Sequence, residues 1–142
     1  MAHLQRTVVS LRISGDSLVP DEITRILGFS PTHAQTKGES IVGKKTGKVC
    51  TAKFGMWQLK VAATEPENLD AQIEEILGKL SGDLDVWSKI GMQFDVDIFC
   101  GLFMGGSNEG LSLSPRTLAN LGQRGIELGL DIYGPDEEVK TV

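Results

Sequence analysis

The chain is poor in the residues that most often announce chemistry. Among 142 residues there are two histidines, His3 and His33, and two cysteines, Cys50 and Cys100. Neither a C-x-x-C nor an H-x-x-x-H spacing occurs, which removes the usual zinc sites, and two cysteines are too few for a disulfide framework. Both thiols fall in apolar strand contexts, where a buried, reduced and inert pair is expected. Long apolar runs are also missing. The opening MAHLQRTVVS has no extended hydrophobic core of the kind a leader needs, and no stretch reaches membrane-spanning length, so the expected location is cytoplasmic. Positive charge is in deficit, at a net −5, which disfavours a phosphate-neutralising surface and with it a nucleic-acid partner.

What is present reads as one globular domain. A hydrophobic share of 40% with 23% charged residues is ordinary for such a domain, and the length is enough for a real core. We expect a single α+β domain over residues 1–135 and an acidic C-terminal tail, DEEVKTV, over 136–142.

Gly15 to Thr32, GDSLVPDEITRILGFSPT, is the clearest local signal. Pro20 suits the first helical turn, and Asp21 and Glu22 place negative charge at the positive end of the helix dipole. Leu18 and Ile23 sit at the positions of a hydrophobic staple, and Gly28 is placed as a left-handed terminator. The grammar recurs at Leu113–Gly122, where Pro115, Leu118 and Leu121 match Pro20, Ile23 and Ile26. The match suggests an internal strand–helix duplication; the frequency of proline at first helical positions is the competing explanation.

The pattern G-x-x-x-x-P-x-E-I-x-x-x-L-G-x-x-P-T, carried by Gly15, Pro20, Glu22, Ile23, Leu27, Gly28, Pro31 and Thr32, resembles the opening of a bacterial family of small α/β proteins filed as a domain of unknown function. Lys37-Gly38, Gly55-Met56-Trp57 and Leu130-Asp131-Ile132-Tyr133 resemble its later landmarks. The resemblance implies a fold, a bacterial source and a single domain, and it brings no catalytic residues. It also implies a partner-binding or immunity role as a working expectation.

Residues 4–14 alternate as a half-buried strand. Residues 29–48 read as a long polar connection whose Lys37, Lys44, Lys45 and Lys48 are candidates to meet an acidic ligand or patch, or are simply solvated. Val49–Ala63 reads as a hairpin turning near Gly55, with Trp57 a core residue. Thr64 and Glu67 fit a capping box ahead of a helix striped by Leu69, Ile73, Ile76, Leu77 and Leu80, and Asp83 caps a shorter helix after it. Glu65, Glu67, Asp70, Glu74 and Glu75 are either an acidic docking face or an ordinary solvated one. Phe94–Met104 reads as a central strand, Gly105–Gly110 as a connection, 114–124 as a second proline-started helix and Leu128–Tyr133 as a last strand.

The string β-α-β-β-α-α-β-α-β predicts an antiparallel or mixed sheet with helices on one face, ferredoxin-like with an extra strand–helix unit. Strand parity then leaves the second face polar. It should carry Arg6, Ser10, Arg12, Gln58, Lys60, Asp95, Asp97, Asp131 and Tyr133, of which Arg6, Arg12, Lys60, the three aspartates and Tyr133 are the candidate binding residues. Cross-strand ion pairs alone account for such a face equally well.

No catalytic constellation and no cofactor motif is found, and no metal site is expected. The leading expectation is a non-enzymatic, cytoplasmic module that binds a protein partner, with toxin neutralisation as one version. The alternatives are a small metal-dependent or hydrolytic enzyme using Asp95, Asp97, Asp131 or His33, and a self-associating domain that forms a homodimer.

Overall fold

The computed structural model describes residues 3–135; the expected acidic tail at 136–142 lies outside them. The elements run β1 (Arg6–Gly15), α1 (Pro20–Leu27), β2 (His33–Gln35), β3 (Ser40–Val42), β4 (Val49–Thr51), β5 (Gly55–Lys60), α2 (Leu69–Lys79), α3 (Leu84–Gln93), β6 (Asp95–Phe103), α4 (Pro115–Gln123) and β7 (Glu127–Tyr133). This is an α+β fold. Five strands form one mixed sheet in the order β2-β5-β1-β6-β7. β1 is antiparallel to β5 and β6, β2 is antiparallel to β5, and only β6 and β7 run parallel. Taken as β1-α1-β2-β5-α2/α3-β6, the chain has ferredoxin-like connectivity, and α4-β7 is the added helix–strand unit. The two proline-started helices lead to different places: α1 ends at β2, two positions from β1, whereas α4 ends at β7, beside β6.

Alternation on β1 sends Thr7, Val9, Leu11 and Ile13 into the helical layer, where all four are fully buried. Val96, Ile98, Cys100 and Leu102 of β6 and Trp57 and Leu59 of β5 join them, with Ile73, Ile76, Trp87 and Leu121 from the helices. Trp57 is a core residue, and its indole N–H donates to Thr24 Oγ1 at 3.0 Å. Gly28 ends α1 at φ 81°, and its N–H returns to the Thr24 carbonyl.

The expected hairpin over 49–63 does not form. β4 pairs with β3, through Ser40↔Thr51, Ile41↔Cys50 and Val42↔Val49, as a separate two-stranded arm. Gly55 is no turn: an added Cβ there would lie 2.8 Å from the Gly15 carbonyl oxygen and 3.0 Å from Leu18 Cβ, so glycine lets β5 pass close to the end of β1. The turn lies at Gly43–Lys48, where Gly47 has φ 67° and Gly43 donates to the Lys48 carbonyl. Consequently Cys50 is exposed on the arm while Cys100 is buried, and the expected buried pair is corrected to one of each.

The capping box is corrected as well. α2 starts at Leu69, and Thr64 instead bridges β1 through mutual backbone hydrogen bonds with Thr7. The Gln72 amide fills the space below. It donates to the carbonyls of Thr7 and Ala62 and accepts from the Thr7 hydroxyl at 2.6 Å, tying α2 to β1. Asp70 and Glu74, two of the acidic helix residues, are consumed by α4. Asp70 accepts from the Ser114 N–H at 2.8 Å, and Glu74 accepts from the Thr117 hydroxyl and the Asn120 amide.

Candidate functional site

Helices cover one side of the sheet, and the residues of opposite parity form an open face. Register places on it Arg6, Ser10 and Arg12 from β1, Gln58 and Lys60 from β5, and Asp95 and Asp97 from β6. Asp131 and Tyr133 of β7 stand beside Gly101 and Phe103 on the same side, and His33 of β2 lies opposite Gln58. The seven candidate sheet residues therefore share one surface. The four lysines do not belong to it. Lys37 pairs with Asp16 at 3.0 Å, beside the β1–α1 turn, and Lys44, Lys45 and Lys48 are exposed on the arm.

Arg12 is the centre of the face. Its Nε and one terminal nitrogen donate to the two Asp97 oxygens at 2.9 and 2.7 Å, a bidentate fork. The Asp97 hydrogen bond raises the Arg12 pKa, overcoming the opposing effect of partial burial, with the Asp97 charge adding to the rise. The guanidinium also lies over the Phe99 ring, 4.4 Å from its centroid. Towards the other end of β1, Arg6 covers Phe103 at 4.9 Å, and Phe103 stacks on Tyr133 with centroids 4.7 Å apart and planes within 10°. The Tyr133 hydroxyl donates to Asp131, which raises the phenol pKa. The face thus carries two arginine–aromatic piles, one towards each end of β1, and each holds its cation over a ring.

Where β5, β1, β6 and β7 come together beside the root of the arm, the face dips into a cleft of about 440 Å³. Phe54 and Met56 form an apolar wall, and Asp95, Asp97 and Glu127 line the cleft together with Arg12. Three carboxylates share the lining with one guanidinium, and that guanidinium is committed to Asp97. The cleft is anionic, with a greasy side. It is suited to hold a cation with an apolar stem, such as a lysine or arginine side chain.

Sequence reasoning did not find Phe99, Phe103, Phe54, Met56 or Glu127. The two β6 phenylalanines were within reach, because Asp95, Asp97, Phe99, Gly101 and Phe103 form one parity set. Glu127 lies just outside a last strand that the apolar alternation starts at Leu128. Phe54 comes to the cleft only because the arm turns away before it.

Of the three carboxylates expected for an enzyme, Asp97 is held by Arg12 and Asp131 accepts from Tyr133, while Asp95 lines the cleft. Among the described residues, no group of three or more histidines, cysteines or acids is arranged to hold a metal. In the Gly105–Gly110 connection, Glu109 accepts from the Gly105 N–H at 2.8 Å. No described helix is long and apolar enough to cross a membrane.

A family model described as Domain of unknown function (DUF4279) matches residues 5–135, almost the whole described chain. No curated protein and no solved structure matches.

Proposed function

The chain belongs to the DUF4279 family, a domain of unknown function, and from that premise we propose that it is a non-catalytic module that binds a basic segment of a partner protein on the open sheet face. The observation that carries this reading is the cleft, where Asp95, Asp97 and Glu127 outnumber Arg12 beside Phe54 and Met56. A lysine or arginine of the partner enters the cleft, and the arginine–aromatic piles offer rigid, weakly hydrated area to flanking residues. The net charge of −5 steers a basic partner towards it. Neutralisation of a basic toxin is one version of this role. The unpaired Cys50 and Cys100 support a reducing compartment, the cytoplasm.

The test uses tetra-arginine and tetra-glutamate peptides as probes of the 15N-labelled protein. Tetra-arginine should shift the backbone amides around Asp95, Asp97 and Glu127, with the shifts shrinking as salt rises, and tetra-glutamate should leave them in place. The Asp95→Asn/Glu127→Gln variant should lose the response while keeping its dispersed spectrum. Equal shifts with both peptides, or an undiminished response in the variant, would refute the reading.

A further inference from the structure

The two edges of the sheet are treated very differently. β2 is three residues long, follows Pro31 and is succeeded at once by Thr36-Lys37, so it offers little to pair with. β7 is seven residues long, ends the strand order and contains no proline and no lysine. Its side chains on the helical side stay open as well. Leu130 is 49% and Ile132 60% exposed, and Leu118 on neighbouring α4 is 50% exposed. Natural sheets seldom leave a long apolar edge in this state without something to cover it.

The backbone sets how that edge can be met. The Tyr133 carbonyl accepts from the Met104 N–H at 3.0 Å, so Tyr133 directs its polar groups towards β6. By strand alternation Leu128, Leu130 and Ile132 direct theirs outward. A second β7 approaching antiparallel about a two-fold axis has three central residues to choose from. Centred on Asp131, it sets two carboxylates directly opposite each other. Centred on Gly129, it sets Glu127 against Asp131. Centred on Leu130, it pairs Leu130 with Leu130 and Leu128 with Ile132 on the helical side, and Gly129 with Asp131 and Glu127 with Tyr133 on the open side. Only this last register matches apolar with apolar and keeps every carboxylate off its like.

We propose that β7 is a homodimerisation edge, joining two copies about Leu130 into one continuous ten-stranded sheet. Both helical layers then lie on the same side, and Leu118, Leu130 and Ile132 of the two copies close over one another. The occupant is a second copy because the strand is complementary to itself in a register centred on an outward-facing residue. The partner's Tyr133 comes beside Glu127 at the rim of the cleft, so the open faces become one surface. The inference rests on the edge alone and stands whether or not that face binds a basic segment.

Sedimentation of the full chain over a range of concentrations should give twice the 15.3 kDa chain mass. Leu130→Asp, a change at a half-exposed position, should halve that mass with an unchanged circular dichroism spectrum. In a Cys50→Ser background, Leu130→Cys should oxidise to a linked dimer, because residues in such a pair have Cα atoms about 5.5 Å apart. Ile132→Cys should not, since it faces Leu128. A wild type that remains monomeric overturns the pairing and leaves the edge to a strand from another protein. A dimer unmoved by Leu130→Asp, or linked through Ile132→Cys in preference to Leu130→Cys, overturns it too.

Discussion

Replacing Thr7 by valine and Gln72 by leucine, singly and together, tests the polar bolt between β1 and α2. Thr7 is 0% and Gln72 2% exposed, so neither can turn to water. In Gln72→Leu the remaining groups keep partners. The Thr7 hydroxyl still has Thr64 Oγ1 at 3.1 Å, the Thr7 carbonyl still accepts from the Thr64 N–H, and the carbonyl of exposed Ala62 turns to solvent. Three hydrogen bonds are lost at about 1 kcal/mol net each, partly offset by burying an apolar side chain, for a cost of about 1–2 kcal/mol. Thr7→Val is worse. It strands the Gln72 carbonyl oxygen in the core, which adds a desolvation penalty of about 1–3 kcal/mol to the lost bonds, for about 2–4 kcal/mol in all. The double variant removes that stranded oxygen, so its cost should fall short of the sum of the single costs by about 1–2 kcal/mol. Urea denaturation followed by circular dichroism gives all three values. Additive costs, or a Gln72→Leu variant less stable than Thr7→Val, would refute the reasoning.

Gly55→Ala should cost about 1–3 kcal/mol in thermal melts, because its new methyl meets the rigid Gly15 carbonyl rather than a movable side chain; an unchanged melting temperature would contradict the close approach. Burial tends to raise the Asp70 pKa, but hydrogen bonding, led by the Ser114 N–H, outweighs it and the net shift is downward. Its contribution is therefore intact above the ordinary carboxylate value and is lost as pH falls through the lowered one. Comparing melting temperatures at about pH 6 and about pH 3, Asp70→Asn should show a smaller acid loss than wild type. A thiol reagent should label Cys50 at once and Cys100 only on unfolding, since burial, helped by the Asp97 charge, pushes the Cys100 thiol up to about 12. Two fast thiols would contradict that placement.

The sheet and its open face were legible because β1 and β6 announce them by parity. Arg12 and Asp97 stand on the polar side of their strands in the sequence as they do in the fold, and the count of strand–helix units sufficed to give the ferredoxin-like plan with its addition. The arm and the edge strand β2 were not legible. His33–Gln35 and Ser40–Val42 are three residues each in a lysine- and glycine-rich stretch, and no hydrophobic alternation marks them. β2 is a strand because β5 offers it a backbone ladder, which is a tertiary cause. The cleft shared the fate of the arm, since Phe54, which lines it with Glu127, follows β4, a strand that pairs outside the main sheet. The capping box failed for a related reason: Thr64 fits the helix motif locally, but β1 claims its backbone.

The position of β1 also governs the order in which the protein can assemble during synthesis. β1 precedes both of its sheet neighbours in the chain, lying between β5 and β6, which are made after it. The Arg12–Asp97 fork closes a separation of 85 residues. Until that stretch has been translated, the central strand of the sheet has one side unmatched, so the nascent chain cannot reach its fold by stages from the N-terminus. Such long-range closure slows folding and lengthens the time for which a hydrophobic strand is open to other chains. A truncation ending before β6 should accordingly be a client for chaperones rather than a smaller folded domain.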